Sequence, residues 1–204
     1  MFYETKGPGH GLARDPFKSL VVPRPIGWIT SQDDEGRVNL APFSFFNAVA
    51  DAPPMVMFAP TGRKSDRPVK DSRANVEATG EFVCNLATWD LREAMNATSA
   101  EFPIGVDELK AVGLTPIPSL LVRPPRVAEA PVHLECRLWK VVGLPDLDPA
   151  EPNCLIIGEV VAVHIDDALV KDGRVDILAA RPIARLGYSD YAVVDAKFSM
   201  RRPG

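Results

Sequence analysis

Nowhere does this 204-residue chain carry an apolar run approaching the roughly 18 residues that a membrane-spanning helix requires. Its first residues promise no export signal, since Lys6 to Arg14 is polar and glycine-rich. Cysteine is scarce. Cys84, Cys136 and Cys154 are odd in number, share no metal-ligand spacing, and each sits in an apolar strand-like run. That pattern predicts buried, reduced thiols and a cytoplasmic protein. His10, His133 and His164 are too far apart for a metal motif, so no metal ligands are expected, and His164 is expected to face solvent on its strand. Basic charge is not in surplus either. Twenty-three Lys and Arg stand against 27 Asp and Glu, for a net charge of −4, which removes any global electrostatic case for nucleic acid. There is no Gly-x-Gly-x-x-Gly after a strand, no Walker-type loop, no nucleophile elbow and no pair of carboxylates at catalytic spacing. An enzyme without such groups takes its chemistry from a cofactor and itself supplies binding, orientation and exclusion.

What the chain does have is proline: 20 residues, about twice the usual share. They gather in joints such as Pro23 and Pro25, Pro53-Pro54, Pro124-Pro125 and Pro145 to Pro152. Proline is excluded from helix interiors and central ladders, so short elements are expected between the joints. Ile26 to Gln32 reads as a strand, residues 33–36 as its turn, and Val38 to Asn47 as the return strand. Met55 to Ala59, Glu81 to Leu86, Val132 to Val142 and Leu155 to Ile165 are further strands, and Asp172-Gly173 turns a hairpin into Val175 to Leu178. In the late strand, Val161, Val163 and Ile165 alternate with Ala162, His164 and Asp166, which predicts one wet face. Asp71 to Thr79 reads as a short helix capped by Asp71 or Ser72 and stopped by Gly80, with two more over Trp89 to Asn96 and Asp107 to Val112. Six or seven strands without a βαβ rhythm predict an antiparallel barrel or sandwich in a single domain over 1–204. Residues 1–15 form an arm and 192–204 a tail in this reading.

Two stretches carry chemistry. In residues 24–47, Thr30, Ser31, Asn39, Ser44 and Asn47 stand on or beside apolar strands, where a planar heterocycle could satisfy them. They could equally line the wet face of a hairpin. Trp28 reads as core rather than as a stacking platform. Residues 63–73 then place Arg63, Lys64, Arg67, Lys70 and Arg73 before and at a helix start, with Ser65 and Ser72 as hydroxyl donors. A helix N-terminus favours phosphate through its free N–H groups and its dipole. A solvated charged loop is the plainer alternative.

Taken in order, Arg24-Pro25-Ile26-Gly27-Trp28-Ile29-Thr30-Ser31, Asn39-Leu40-Ala41-Pro42-Phe43-Ser44-Phe45-Phe46-Asn47, Pro53-Pro54, Lys70-Asp71-Ser72 with Asn75, and Gly80 to Asn85 resemble the flavin reductase-like family of FMN-binding split barrels. The likeness runs from Pro23 to Tyr191. It implies a mainly β, antiparallel Greek-key split barrel with a few short peripheral helices, forming a homodimer with FMN near the interface. It implies that Trp28, Ile29, Thr30 and Ser31, with Asn39, Ala41, Pro42, Phe43 and Ser44, edge the flavin ring, with Asn47 close by. By the same likeness Arg63, Lys64, Lys70 and Ser72 hold the phosphate, Asp71 orients the helix start, and Arg185 and Tyr191 belong to an Arg-x-Gly-Gly…Tyr segment. Tyr188 departs from it by replacing a common second glycine, and Ser72 by replacing threonine. The expected activity is hydride transfer from NAD(P)H to the flavin, which itself carries the chemistry, with electrons passing to an acceptor or a partner monooxygenase. An FMN-holding electron carrier, an enzyme for another substrate, and an anion- or nucleic-acid-binding barrel without flavin are the alternatives. Neither nucleic acid nor membrane is an expected partner.

Overall fold

The computed structural model describes all residues except 8, 104, 149 and 151. The β-branched and aromatic runs form β1 (Gly27–Gln32), β2 (Val38–Phe43), β3 (Phe46–Asp51), β4 (Pro54–Phe58), β5 (Glu81–Leu86), β6 (Val132–Gly143) and β7 (Cys154–Ile165). They make one seven-stranded sheet in the order β2-β1-β5-β6-β7-β4-β3, antiparallel throughout.

β2 and β3 are consecutive in sequence yet occupy opposite ends of that order. Laid flat, six strand spacings of about 4.8 Å would part them by about 29 Å. Ser44 and Phe45 alone connect them, and three residue steps reach at most about 11 Å. The sheet must therefore curl until its ends meet, and the result is a barrel. Gly27 marks the seam: a Cβ there would lie 2.5 Å from the Phe46 ring. Irregular pairing at Ile157/Gly158 and Val160/Ala162 in β7, and at Ala48/Ala50 in β3, helps the strands bend.

Two apolar clusters fill the molecule. Ile29, Phe58, Phe82, Cys136 and Ile156 belong to one, and Trp28, Leu40, Met95, Leu109 and Val127 to the other. Adjacent Trp28 and Ile29 thus point to opposite sides, so β1 is covered on both faces. α1 (Asp71–Thr79) lays Val76 against the first cluster and ends at Gly80, whose φ of 72° and N–H to Val76 O form a left-handed cap. α2 (Arg92–Ala97) and α3 (Glu108–Ala111) cover the second cluster through Met95 and Leu109. A small three-stranded sheet joins Arg24–Pro25, Ile183–Arg185 and Tyr191–Val193 beside the seam.

Four expectations are corrected. Val38 to Asn47 is not one strand, because the chain leaves β2 after Phe43 to cross the seam. The cap of α1 is Lys70 rather than Asp71 or Ser72. Val175 to Leu178 is not a strand: after the Asp172-Gly173 turn, Arg174–Val175 pairs briefly and Ile177–Ala180 is helical. His164 does not face solvent: it turns in to Glu135, while Val163 is 54% exposed. The three cysteines are buried and unpaired, as expected. No helix among the described residues is long and apolar enough to cross a membrane.

Candidate functional site

The end of β2, the start of α1 and the small sheet enclose a groove of about 630 Å³, lined by Arg24, Phe43, Ser44, Lys70, Arg185 and Tyr191 among others. A smaller recess of about 100 Å³ adjoins it and shares Pro42, Phe43, Lys70 and Ser99. Asn39, Ala41, Lys64, Asp71 and Ser72 line the recess. β2 is an end strand of the sheet, so half of its backbone groups face away from β1. Leu40 N–H is one of them and donates to Glu108 Oε2 at 3.1 Å. Two residues on, Pro42 has no N–H to satisfy.

The hydroxyls and amides of β1 do not open into this groove. Thr30 and Ser31 are fully buried. Thr30 Oγ1 accepts from Asn85 Nδ2 at 2.6 Å, and Ser31 Oγ accepts from Asn75 Nδ2 at 3.2 Å. Asn85 also donates to Trp28 O and accepts from Val127 N–H. These bonds tie β1 to α1 and to β5, which satisfies the polar groups without a ligand. Trp28 is core, as read from the sequence, and donates its Nε1–H to Thr98 Oγ1 at 2.9 Å. Ile29 lies in the other core cluster, on the opposite side of β1. What β1 and β2 leave for a ring is the segment Ala41 to Ser44. Asn47 lies across the seam on β3, exposed, with Oδ1 taken by Ala48 N–H; it does not line the groove.

The cationic loop divides. Lys64 is buried, with Nζ 2.5 Å from Asp71 Oδ2 and 3.9 Å from Glu108 Oε1. Arg67 holds the other Asp71 oxygen and also pairs with Asp66. Asn39 and Ser72 meet at 2.8 Å; the amide is best satisfied with Nδ2 on Glu108 Oε1 at 3.1 Å and Oδ1 accepting from Ser72 Oγ. Burial raises the Glu108 carboxyl above its ordinary range against the backbone N–H groups and Lys64 that stabilise its anion. Arg63 is exposed and lines neither the groove nor the recess. Lys70 remains. It caps α1, lines both spaces and has no acceptor within reach among the described residues. Its helix has no side-chain cap, so N–H groups of the first turn stay free for an anion.

Arg24 is a candidate that reasoning from the sequence passed over. It is only 6% exposed and lines the groove. Its Nη1 donates to Lys18 O and Val21 O, its Nε has no partner, and it pairs with no acid among the described residues. Burial first, and Arg185 second, depress its pKa. A buried guanidinium lacking a counter-ion calls for an anion or a polarisable acceptor in the space beside it. The signal was its place at the head of the Arg-Pro-Ile-Gly-Trp run. Glu108 was also missed, and nothing local points to it.

Arg185 and Tyr191 lie together, with the guanidinium 4.5 Å from the Tyr191 ring centroid and bonded to its hydroxyl and to Tyr188 O. Tyr188 itself has φ 51°, a left-handed conformation that glycine adopts freely, and it stands in the groove wall.

The model of the flavin reductase like domain matches residues 19–188 of the chain. An uncharacterized protein from Aquifex aeolicus is 41% identical over 173 residues, covering 84% of this chain and 85% of that one. Among solved structures, nitrilotriacetate monooxygenase component B from Bacillus cereus superposes with a TM-score of 0.85 at 32% identity, covering 98% of this chain and 100% of that one. The 2-nitrobenzoate 2-nitroreductase NbaA from Pseudomonas fluorescens gives 0.78 at 28% identity, with 92% and 88% covered.

Proposed function

This chain belongs to the flavin reductase-like domain family, and we propose that it binds FMN and uses NAD(P)H as the hydride donor of an oxidoreductase. The observation that carries the reading is the pair Lys70 and Arg24: two cations without an acidic partner among the described residues, in one groove, in a chain of net charge −4. They fit a ligand with a phosphate at one end and a polar ring at the other. Lys70, with the free N–H groups at the start of α1, would hold the phosphate. Ala41, Pro42, Phe43 and Ser44 would border the ring, and Phe43 and Phe45 would exclude water from it. Arg24 and Arg185 would stabilise negative charge gained on reduction. Bound flavin supplies reversible two-electron chemistry, so no side-chain base is required of the protein.

Likeness to a monooxygenase component supports a partner monooxygenase as the consumer of reduced flavin. Exposed apolar side chains on the sheet, Val49, Trp139 and Val163, support a homodimer. Three unpaired thiols support a reducing, cytoplasmic setting. Anaerobic mixing of FMN-loaded protein with NADH and with NADPH tests the reading: bleaching of the flavin band by either is the expected result, and a flavin that stays oxidised with both rejects it. A second reading, a flavin carrier or an enzyme for another substrate, is favoured by Tyr188, which stands in the groove wall with a left-handed φ of 51° at a position where the resemblance makes a second glycine common. Firmly held FMN reduced slowly by both nicotinamides is its signature.

A further inference from the structure

Next to the groove lies a second cavity of about 650 Å³, which shares Met95, Ser99, Arg185 and Tyr191 with it. We propose that this cavity is a separate ligand site for a planar ring bearing an anionic group. The inference deepens the flavin reading, because such a ligand would lie beside the flavin.

Four features of the walls support it. The volume is that of a small-molecule pocket. Trp89, Met95, Ile183, Tyr191 and Val193 supply an apolar and aromatic surface. Both guanidinium groups of the lining are stacked on aromatic rings and tied in place: Arg92 Cζ lies 4.1 Å from the Trp89 centroid with Nη1 donating to Trp89 O at 2.8 Å, and Arg185 Cζ lies 4.5 Å from the Tyr191 centroid. Arg185 commits both terminal nitrogens, to the Tyr191 hydroxyl and to Tyr188 O, whereas Arg92 gives Nη1 to Trp89 O and keeps Nη2 without a partner among the described residues, and that free end matches an oxygen of a carboxylate or phosphate. Arg181, outside the lining, places a third cation 5.4 Å from the Trp89 centroid.

Opposing charge is slight. Glu93 is the only acid in the lining among the described residues, its carboxylate 3.4 Å from Arg92 Nε and its side chain 83% exposed. Water screens such a pair, so Arg92 keeps most of its attraction for a second anion.

Two sources share this chemistry: the adenosine-phosphate end of a dinucleotide and a free aromatic carboxylate. FMN-loaded protein titrated calorimetrically with 2′,5′-ADP and, separately, with benzoate distinguishes them. At least one is expected to bind, about tenfold more weakly in Arg92→Ala, where a charge-assisted contact is lost. Glu93→Gln, which touches only an exposed side chain, should tighten binding two- to fivefold. Whichever ligand follows this pattern names the source. Binding of neither, or binding unchanged in both variants, overturns the site. FMN titration of the same samples reads the first groove by itself: protein that takes up no FMN refutes the flavin reading, while the anion titration still decides this one.

Discussion

Lys64 Nζ lies 2.5 Å from Asp71 Oδ2, and Arg67 takes the other oxygen of the same carboxylate. The densest cationic stretch of the chain is therefore partly neutralised from within, and its charges have different tasks. Lys64 fastens the loop to α1 and, through Glu108, to the edge of β2. Lys70 faces the groove.

Lys64→Met should consequently destabilise the flavin-free protein by about 3 kcal/mol or somewhat less, since Arg67 still covers Asp71. Lys70→Ala should leave flavin-free stability within about 0.5 kcal/mol. Urea denaturation of the two variants checks this; equal losses would place Lys70 in the same internal network.

Arg24→Met removes the buried guanidinium together with its two carbonyl bonds. The baseline melting temperature is free to move either way. The increment in melting temperature on adding saturating FMN should shrink to less than half of the wild-type increment, because the uncompensated charge no longer gains a partner on binding. An undiminished increment would remove Arg24 from the site.

Gly27→Ala tests the seam. Its Cβ would lie 2.5 Å from Phe46 Cδ2 and 2.8 Å from Cγ, where the two ends of the sheet meet. Overpacking of this kind costs about 1–3 kcal/mol, so the urea midpoint should fall with an unchanged slope. Because Phe46 is half-buried, the lower half of that range is expected.

His133 sets a pH dependence. It is 5% exposed, its Nε2–H donates to Val127 O at 2.8 Å, and its Nδ1 has no partner. Burial lowers its pKa below the ordinary 6.5. A histidine with a depressed folded-state pKa favours folding above the unfolded value, and that stability is lost as pH falls from there through the folded value. Melting temperature should therefore drop on acidification below about pH 6.5. His133→Phe should flatten the slope below about pH 6.5, whatever it does to the baseline. Glu135 contributes at lower pH. Burial pushes it up, but the Leu120 and Leu121 N–H groups and His164 outweigh this and hold it below its usual range.

The strands were legible because Val, Ile and aromatic residues recur between proline joints, and α1 because Gly80 ends it. The break at Ser44-Phe45 was not. Val38 to Asn47 is β-prone throughout, and only the meeting of distant edges forces the chain out of β2. Pairings across long separations leave no local mark either: Glu108 reaches Leu40, and Asn85 reaches Thr30 and Val127. Hence Thr30, Ser31 and Ser72 read as ligand contacts although they are satisfied by the protein. Alternation misled at β7, where Val163 and Ile165 are the more exposed set and His164 turns inward, an arrangement suited to covering by another surface.

The proposed FMN site depends most on Lys70 gripping a phosphate at the start of α1. Equilibrium titration of wild type and Lys70→Ala with FMN and with riboflavin tests that directly. Loss of one charge-assisted contact should weaken FMN by about 10- to 150-fold, equivalent to about 1.5–3 kcal/mol, and leave riboflavin within about twofold. Equal weakening of both ligands, or no weakening of FMN, would contradict it.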